Sequence, residues 1–399
     1  MALGIALVLA IQPLWRDSVA VAVAGFIALT LVAALRWRLR VLPALILIGC
    51  GVAVRLSTFG NHASDVSDVT RAAIGVLLNG ADPYGLGYTV SSPAGAAFPY
   101  GPVALLWYLP AFWDPPLIEL AVSGMLLVWF GIRAADGRPI GLAVFALAPP
   151  LVLAATDGSN DTSAGLMILA AMAVAASRPV VGAVILAVAV AFKPYAVAWV
   201  PGLLLWAGPP AIAGFLVASL VAWSPVLFVW GPGSYLRSLA MAQETHLRES
   251  YWSLAAVLDG IAPGLAPRAL ESIRYLVSGG IAVLGAMRVR SLDGVIVVGS
   301  VAFVVGQFMG YFGSYVYLAA VAPLLCWRVD DWLRIGLPDL VRAYNAMPEA
   351  ARHVRRPTAT RAALPVTPRT GEPSPARAAL SGRGTVGRGR AARPSRSAG

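Results

Sequence analysis

Residues 61–113 read NHASDVSDVTRAAIGVLLNGADPYGLGYTVSSPAGAAFPYGPVALLWYLPAFW and form a polar segment between long apolar runs. Asp65 and Asp68 lie three residues apart near its start, and a DPYG turn and a Ser/Pro/Gly-rich loop follow them. The segment ends in FPYGP, which leads into an apolar stretch too short to cross a bilayer. Because the rest of the chain is so apolar, we expect this polar segment to carry the function.

The composition indicates a membrane protein. Of the 399 residues, 58% are hydrophobic and only 12% are charged, and the mean hydropathy is +0.75. Soluble domains carry about 25% charged residues. Only helices and closed barrels satisfy their backbone polar groups in lipid, and the apolar runs here are continuous rather than alternating. The sequence therefore predicts an all-α polytopic membrane protein.

The apolar runs predict about ten to thirteen transmembrane helices. The predicted helices cover 2–15, 18–36, 41–58, 116–133, 140–156, 162–177, 180–193, 195–207, 209–230, 270–288, 293–310 and 312–328. The first run lacks the basic leader of a signal peptide, so we expect it to be a retained span. Cys50 and Cys326 lie inside apolar runs without a CxxC or Cys/His spacing, so they predict neither a disulfide nor a metal site.

The arginines predict the orientation. They cluster at 36–40, 133–138 and 288–290, at alternating helix ends, and cytoplasmic loops carry such an excess of positive charge. The polar segment, the Asp157–Asp161 loop and a loop over 231–252 are then predicted to share the outer face. This pattern predicts a multi-pass protein of the cell membrane with its active face outside.

The C-terminal part differs from the rest. Residues 351–399 contain eleven arginines and one acid, Glu372, and are rich in Pro, Gly, Ser and Ala. We therefore predict a transmembrane domain over 1–330, with its outer catalytic loop at about 59–115, and a largely disordered cytoplasmic tail over 331–399. The basic tail is interpreted as a partner of anionic lipid headgroups rather than of nucleic acid.

Within the polar segment, apolar residues recur at helical spacing over 66–76, which predicts a short amphipathic helix on the membrane surface. Asn79-Gly80 has the chemistry of a helix end. Asp65 and Asp68 at its start permit two interpretations. They are either favourable charges at a helix N-terminus or a general base at the lipid–water boundary.

Lys193, the only lysine in the chain, stands in AVAFKPYAVAWVP between two apolar stretches. An ionisable group at membrane depth indicates function, and the alternative is a side chain that reaches back to the interface. If it faces a cavity, its natural partner is a phosphate. Arg248 beside His246 could clamp a phosphate, although a solvated charged loop has the same composition. The DGSND sequence at 157–161 is either a turn with a helix cap or part of a pocket.

The first block of the polar segment reads SDVSDVTRAAIGVLLNGADPYG and is followed by FPYGPVALLWYLP. Together these sequences resemble the C-type membrane glycosyltransferases. The resemblance is to glycosyltransferase family 87 in particular, the polyprenol-phosphate-mannose-dependent mannosyltransferases. A second block of that family consists of a Gly-Gln-x-Asn loop followed by two spans and Lys-Pro. The similar sequence in this chain is GSNDTSAGLMILAAMAVAASRPVVGAVILAVAVAFKP. The similarity covers roughly residues 41–255. Two positions depart from the family pattern, since Ser159 replaces a glutamine and Gly101 replaces the second-position proline of YPP.

The resemblance implies a C-type bundle that moves a hexose, mannose in the family, from a polyprenyl-phosphate donor to a glycolipid or glycan acceptor on the outer face, with inversion and without cofactor or metal. It implies Asp65 as the catalytic base, with Asp68 as a second candidate carboxylate. The other predicted site residues are Lys193, Arg248 and His246 on the donor phosphate and Tyr84, Tyr100, Asn160 and Asp161 in the sugar or acceptor pocket. The alternative function is a multi-helix transporter or lipid flippase with Lys193 in its pathway.

Overall fold

The computed structural model describes residues 41–60, 64–92, 94–245, 253–261, 267–310 and 313–334. The predicted helices 2–15 and 18–36 lie outside these residues, as does all of the predicted tail beyond 334. Within them the chain is helical, with one isolated bridge between Tyr88 and Ala96 and no strand. The all-α prediction is confirmed for this part of the chain.

The helices follow in chain order. The first seven are α1 Val41–Thr58, α2 Val66–Leu78, α3 Pro102–Tyr108, α4 Pro116–Ala135, α5 Pro139–Leu147, α6 Pro149–Ala154 and α7 Asp161–Ala175. The next seven are α8 Pro179–Phe192, α9 Val200–Ala207, α10 Pro209–Ser224, α11 Pro232–Thr245, α12 Leu254–Ile261, α13 Pro267–Ala286 and α14 Leu292–Phe308. The last described helix, α15, covers 318–334. Short 3-10 helices at Leu109–Ala111, Pro194–Trp199 and Tyr315–Tyr317 and a π-helical turn at Pro225–Trp230 complete the set.

Proline sets many of these helix starts. It occupies an initial position of α4, α5, α8 and α10, for example, where a backbone N–H has no intrahelical partner and its loss is harmless. The same property breaks helices that the apolar pattern predicts to be continuous. The predicted helix 140–156 is wrong as one element, because Pro149 and Pro150 force Ala148 into an extended conformation between α5 and α6.

Two further boundaries differ from expectation. The predicted loop over 231–252 is wrong for most of its described length, because Pro232–Thr245 forms α11. The alanine and leucine residues of this segment favour a helix. The predicted helix 312–328 begins later, at 318, after a 3-10 turn that Ser314 caps by accepting the N–H of Val316. That helix continues to 334, past the predicted domain boundary at 330.

Three described helices are long and apolar enough to cross a membrane, namely Val41–Thr58, Pro116–Ala135 and the continuous helical stretch Pro209–Trp230. Several other apolar helices, among them α7, α8 and α14, have fewer than the about twenty residues that a perpendicular crossing requires. The stretch Pro209–Trp230 is notable because only 11% of its most apolar window is buried within the structure.

Helix α8 lies at the centre of the bundle, between α7 on one side and α10 on the other. A second group, α1, α4 and α5, joins it through a contact between α4 and α7. The short helix α3 packs against the C-terminal end of α8, and α14 contacts the 3-10 helix that follows α8. The ends of α7 and α8 therefore meet in the interior.

One end of the bundle carries an ionic cluster. Asp331 accepts hydrogen bonds from Arg133 (3.2 Å), Arg138 (2.8 Å) and Arg328 (3.3 Å), which join α4, the start of α5 and α15. Asp330 accepts two backbone N–H groups in the first turn of α5 at 3.1 and 2.9 Å. A carboxylate here is favoured by the dipole of α5 and satisfies donors that the helix itself cannot pair.

Gly101 allows the close approach of α3 to α8. Its N–H donates to the carbonyl of Phe192 at 3.2 Å, and a Cβ at this position would overlap the carbonyl oxygen of Ala191. A proline at this position would lose this hydrogen bond. The backbone of α8 therefore accounts for a glycine at position 101.

Replacing Gly101→Ala is expected to lower the melting temperature of the detergent-purified protein, because overpacking of this kind costs about 1–3 kcal/mol. The matched control is Gly75→Ala on α2, where a Cβ meets no atom within 4 Å and alanine is the better helix former. Equal melting temperatures for the two variants would contradict the proposed close contact.

Candidate functional site

The start of α2 docks onto the Asp157–Asp161 loop. The N–H of Ser64 donates to the carbonyl of Asp157 at 2.8 Å, and the N–H of Ser67 donates to that of Gly158 at 2.9 Å. Gly158 has a φ of +88°, and a Cβ there would lie 2.8 Å from the Ser67 hydroxyl. These contacts confirm that the polar segment and the Asp157–Asp161 loop lie at the same end of the bundle.

Asp65 is the residue immediately before α2, and it is half-buried as a residue. Its side chain makes no capping hydrogen bond to α2 and instead accepts the N–H of Ser92 at 2.6 Å, across the polar segment. The backbone carbonyl of Asp65 still accepts the first helical N–H, from Val69, at 2.9 Å. The carboxylate is thus directed into the polar segment rather than used as a helix cap.

Asp68 has a different environment. Its side chain is 40% exposed and forms an ion pair with Arg71, one turn later on α2, at 2.7 Å. Exposed pairs of this kind contribute only about 0–1 kcal/mol to stability. The two aspartates of the DxxD sequence therefore have different partners, a backbone N–H of the polar segment for Asp65 and a neighbouring arginine on α2 for Asp68.

Lys193 is buried where α8 ends, and its ammonium donates two hydrogen bonds there. It donates to Asn160 Oδ1 at 2.5 Å and to Asp161 Oδ1 at 2.8 Å. The Asp161 oxygen also accepts the hydroxyl of Tyr195 at 2.6 Å. Lys193 reaches this position because Pro194 holds the residue before it in an extended conformation, which ends α8 and turns the side chain towards the start of α7.

Three tyrosine rings surround this ammonium. The nitrogen of Lys193 lies 5.2 Å from the ring centre of Tyr100, 5.0 Å from that of Tyr195 and 5.8 Å from that of Tyr317. Such cation–π contacts contribute about 2 kcal/mol when the cation is desolvated. We call Asn160, Asp161, Lys193 and these three tyrosines the Lys193 centre.

Tyr100 lies within electrostatic range of Asp161 and Asp65. Burial, followed by the negative charge of Asp161 and smaller contributions from Tyr317 and Asp65, raises the pKa of the Tyr100 hydroxyl well above its ordinary value. This hydroxyl therefore keeps its proton at neutral pH and remains a hydrogen-bond donor. The structure thus brings Tyr100, Asn160, Asp161 and Lys193 together, with the start of α2 docked on the adjacent loop.

Tyr84 has a packing role. Its ring contacts Phe98, Trp230 and Tyr235 at centroid distances of 5.8, 5.5 and 5.3 Å. Next to it, the N–H of Gly85 donates to the hydroxyl of Ser238 on α11 at 2.8 Å. The DPYG turn therefore anchors α11 on the polar segment, and Tyr84 belongs to this aromatic contact rather than to the Lys193 centre.

Glu119, in the first turn of α4, was not predicted from the sequence. It is 1% exposed and accepts the hydroxyl of Tyr108 at 2.5 Å, the N–H of Ser163 at 3.0 Å and the hydroxyl of Ser163. These bonds tie α3 and α4 to the first turn of α7, two residues beyond Asp161. A single acid in the apolar sequence PLIELAV is the signal that could have indicated it.

Arg55 was also missed. It is 1% exposed on α1 and donates to the carbonyls of Phe145 (2.8 Å) and Ala146 (3.1 Å) at the end of α5 and to the Ser123 hydroxyl (2.5 Å) on α4. A cation at a helix C-terminus satisfies carbonyls left without intrahelical donors. Arg55 thereby fixes the helix break that leads, through α6, to the Asp157–Asp161 loop.

Two predicted phosphate ligands, His246 and Arg248, lie outside the described residues. Among the residues that the structure does describe, no group of three or more His, Cys, Asp or Glu side chains could hold a metal ion. Cys50 and Cys326 are free thiols.

Comparisons with known proteins give no relative. No protein-family model matches the chain, and neither a curated protein nor a solved structure does so.

Asp157 provides a test of this site through pH. Its carboxylate is 2% exposed and accepts the N–H of Ser159 and the hydroxyl of Tyr315, each at 2.9 Å. Burial raises its pKa above the ordinary value of 3.8. The folded protein therefore holds its proton to higher pH than the unfolded chain does, so the free energy of unfolding falls as pH rises from 3.8 through the raised pKa.

Asp157→Asn removes this titration. Its melting temperature relative to the unmodified protein is expected to increase as pH rises through that window, measured in detergent from about pH 4 to about pH 8. Asp136→Asn, at the exposed end of α4, is the control for removing one carboxylate. A constant difference between Asp157→Asn and the unmodified protein across this range would contradict the assignment.

Proposed function

We propose that this chain is an integral membrane glycosyltransferase of C-type architecture, with several membrane-crossing helices and its polar end on the outer face of the cell membrane. The apolar stretch Pro209–Trp230, mostly unburied within the protein, supports a lipid environment. On α4, Glu119 and Arg133 are about 21 Å apart along the helix at 1.5 Å per residue, with apolar sequence between these two charges.

The ionic end supports the sidedness. Arg133, Arg138 and Arg328 lie at this end, and α15 leads from it into the basic tail. Cytoplasmic ends of membrane proteins carry such positive charge. The proposal therefore places the ionic end and the tail in the cytoplasm and the polar segment outside.

The proposed reaction moves a hexose, mannose by family resemblance, from a polyprenyl phosphate to a hydroxyl of a glycolipid or glycan. Asp65 takes the proton of the acceptor hydroxyl. At the same time the hydroxyl oxygen bonds to the anomeric carbon, and the bond between that carbon and the phosphate oxygen breaks. The lipid phosphate leaves as an anion, so no strong acid is required. A single displacement inverts the anomeric centre and gives an α-linked product from a β-linked donor, through an oxocarbenium-like transition state.

The observation that carries this proposal is the position of Asp65. The docking of α2 on the Asp157–Asp161 loop puts a half-buried aspartate at the edge of the bundle, in electrostatic range of Tyr100 and next to the loop that holds the Lys193 centre. Of the three cations predicted to hold the leaving phosphate, Lys193 is already paired with Asp161, so Arg248 and His246 keep that role.

A transporter or lipid flippase is the second candidate. It is favoured by the buried Lys193–Asp161 pair at the break between α8 and the following 3-10 helix, because transporters place ion and substrate sites at such breaks. The two functions differ in their product. Vesicles containing the purified protein would form a new glycosidic bond in one case and only move the labelled lipid across the bilayer in the other.

Asp65→Asn is expected to reduce hexose transfer from a labelled polyprenyl-phosphate hexose by roughly 10²–10⁴-fold, the usual effect of losing a general base. Asp68→Asn is the matched control, because it changes the same side chain three residues away in an exposed ion pair, and it should retain activity within a few-fold. Transfer by Asp65→Asn at the unmodified rate would refute the proposed base.

A further inference from the structure

The Lys193 centre contains a hydrogen-bond donor with no acceptor. Asn160 is 2% exposed, and its amide oxygen accepts the proton of Lys193. This bond fixes the orientation of the amide, because the reverse orientation would bring an NH₂ group against an ammonium. Asn160 Nδ2 is then buried without a hydrogen-bond partner. A buried unsatisfied donor costs about 1–3 kcal/mol, and a ligand that supplies an oxygen would relieve this cost.

The charge around this donor argues against an anionic ligand. Lys193 forms an ion pair with Asp161. Two further carboxyl groups lie close in the fold: Asp157 is four residues before Asp161, and Glu119 binds Ser163 in the same helical turn. The ammonium of Lys193 is thus already paired with one of these three carboxyl groups. A phosphate placed here would compete with Asp161 for that ammonium.

A hydroxyl group suits this surrounding better than a phosphate. It accepts a hydrogen bond from an amide NH₂ and donates one to a carboxylate oxygen, and Asp161 provides such an oxygen beside Asn160. The rings of Tyr100, Tyr195 and Tyr317, which surround the ammonium, add aromatic surface to this site. The combination of amide donor, carboxylate acceptor and aromatic faces matches the mixed surface of a hexose.

We infer that the Lys193 centre is a recognition site for the hydroxyl groups of the hexose, with Asn160 Nδ2 donating to one sugar oxygen and Lys193 holding Asn160 and Asp161 in place. Lys193 then acts as a positioning residue and not as a phosphate ligand. This inference rests on the proposed function for the identity of the sugar. It assigns sugar selectivity to the centre and leaves base chemistry to Asp65.

The test separates sugar from phosphate. Binding of three probes is measured to the full-length protein in detergent: a polyprenyl-phosphate mannose, the same polyprenyl phosphate without sugar, and a series of mannose donors that each lack one hydroxyl. Asn160→Asp is the central variant, because it keeps an oxygen that accepts Lys193 and replaces the amide donor with an acceptor oxygen, at the cost of one added negative charge. Asn79→Asp, the same change at the exposed end of α2, is the matched control.

Asn160→Asp is expected to weaken binding of the sugar-bearing lipid by about three- to tenfold, the effect of one neutral hydrogen bond, and to leave the sugar-free lipid unchanged. One deoxy donor should bind the unmodified protein equally weakly, and for that donor the variant should cause no further loss, since both changes remove the same bond. Equal weakening of both lipids, or no weakening of either, would overturn the inference.

Two additions keep this result separate from the proposed function. Asn160→Ala, which also removes the Lys193 contact, should lose the same discrimination between donors if Asn160→Asp happens to fold poorly. Thermal stabilisation by methyl mannoside or by inorganic phosphate needs no polyprenyl lipid. Stabilisation by the mannoside that depends on Asn160 supports the centre even if no lipid-linked hexose binds or reacts, and stabilisation by phosphate alone that depends on Asn160 contradicts it.

Discussion

The contact on which the rest of the site depends is the buried bond between Lys193 and the Asn160–Asp161 pair. It joins the end of α8 to the start of α7, the two helices at the centre of the bundle. Removing charges from water costs several kcal/mol per ion, and an isolated ammonium here would not be tolerated. The geometry of the other groups follows from this requirement, because the oxygens and ring faces around Lys193 must stay within reach of it.

Helix breaks make that contact available. A continuous helix through Lys193 would direct its side chain along the helix surface, whereas Pro194 stops α8 and leaves the chain extended at this residue. In the same way, Pro149 and Pro150 separate α5 from α6 and allow the chain to reach the Asp157–Asp161 loop, with Arg55 satisfying the carbonyls at the break. In both places the polar site is built where proline interrupts an apolar helix.

Much of the helical framework could be predicted from the sequence, because apolar runs and proline starts are local signals. Helix α1 matches its predicted range, and the surface helix α2 follows from its spacing and its Asn79-Gly80 end. The pairing of Lys193 with Asp161 could not be derived in this way. A lone lysine indicates that a partner exists, but the identity of the partner depends on how two helix ends meet. From the sequence alone, a phosphate is predicted as the partner of Lys193.

Two buried charged residues, Glu119 and Arg55, were not predicted from the sequence for a similar reason. Glu119 and Arg55 have no sequence motif around them. Each is recognisable only as a charged residue in an apolar helix, and most of its hydrogen-bond partners lie on other helices. Their partners are mostly backbone groups and hydroxyls, which no pattern of charged residues reveals. A charge in an apolar helix therefore predicts that a polar contact exists, and the folded chain is needed to show whether it serves structure or chemistry. Here Glu119 and Arg55 hold the helix ends, and Asp65, directed away from its own helix into the polar segment, is the carboxylate that we propose for the chemistry.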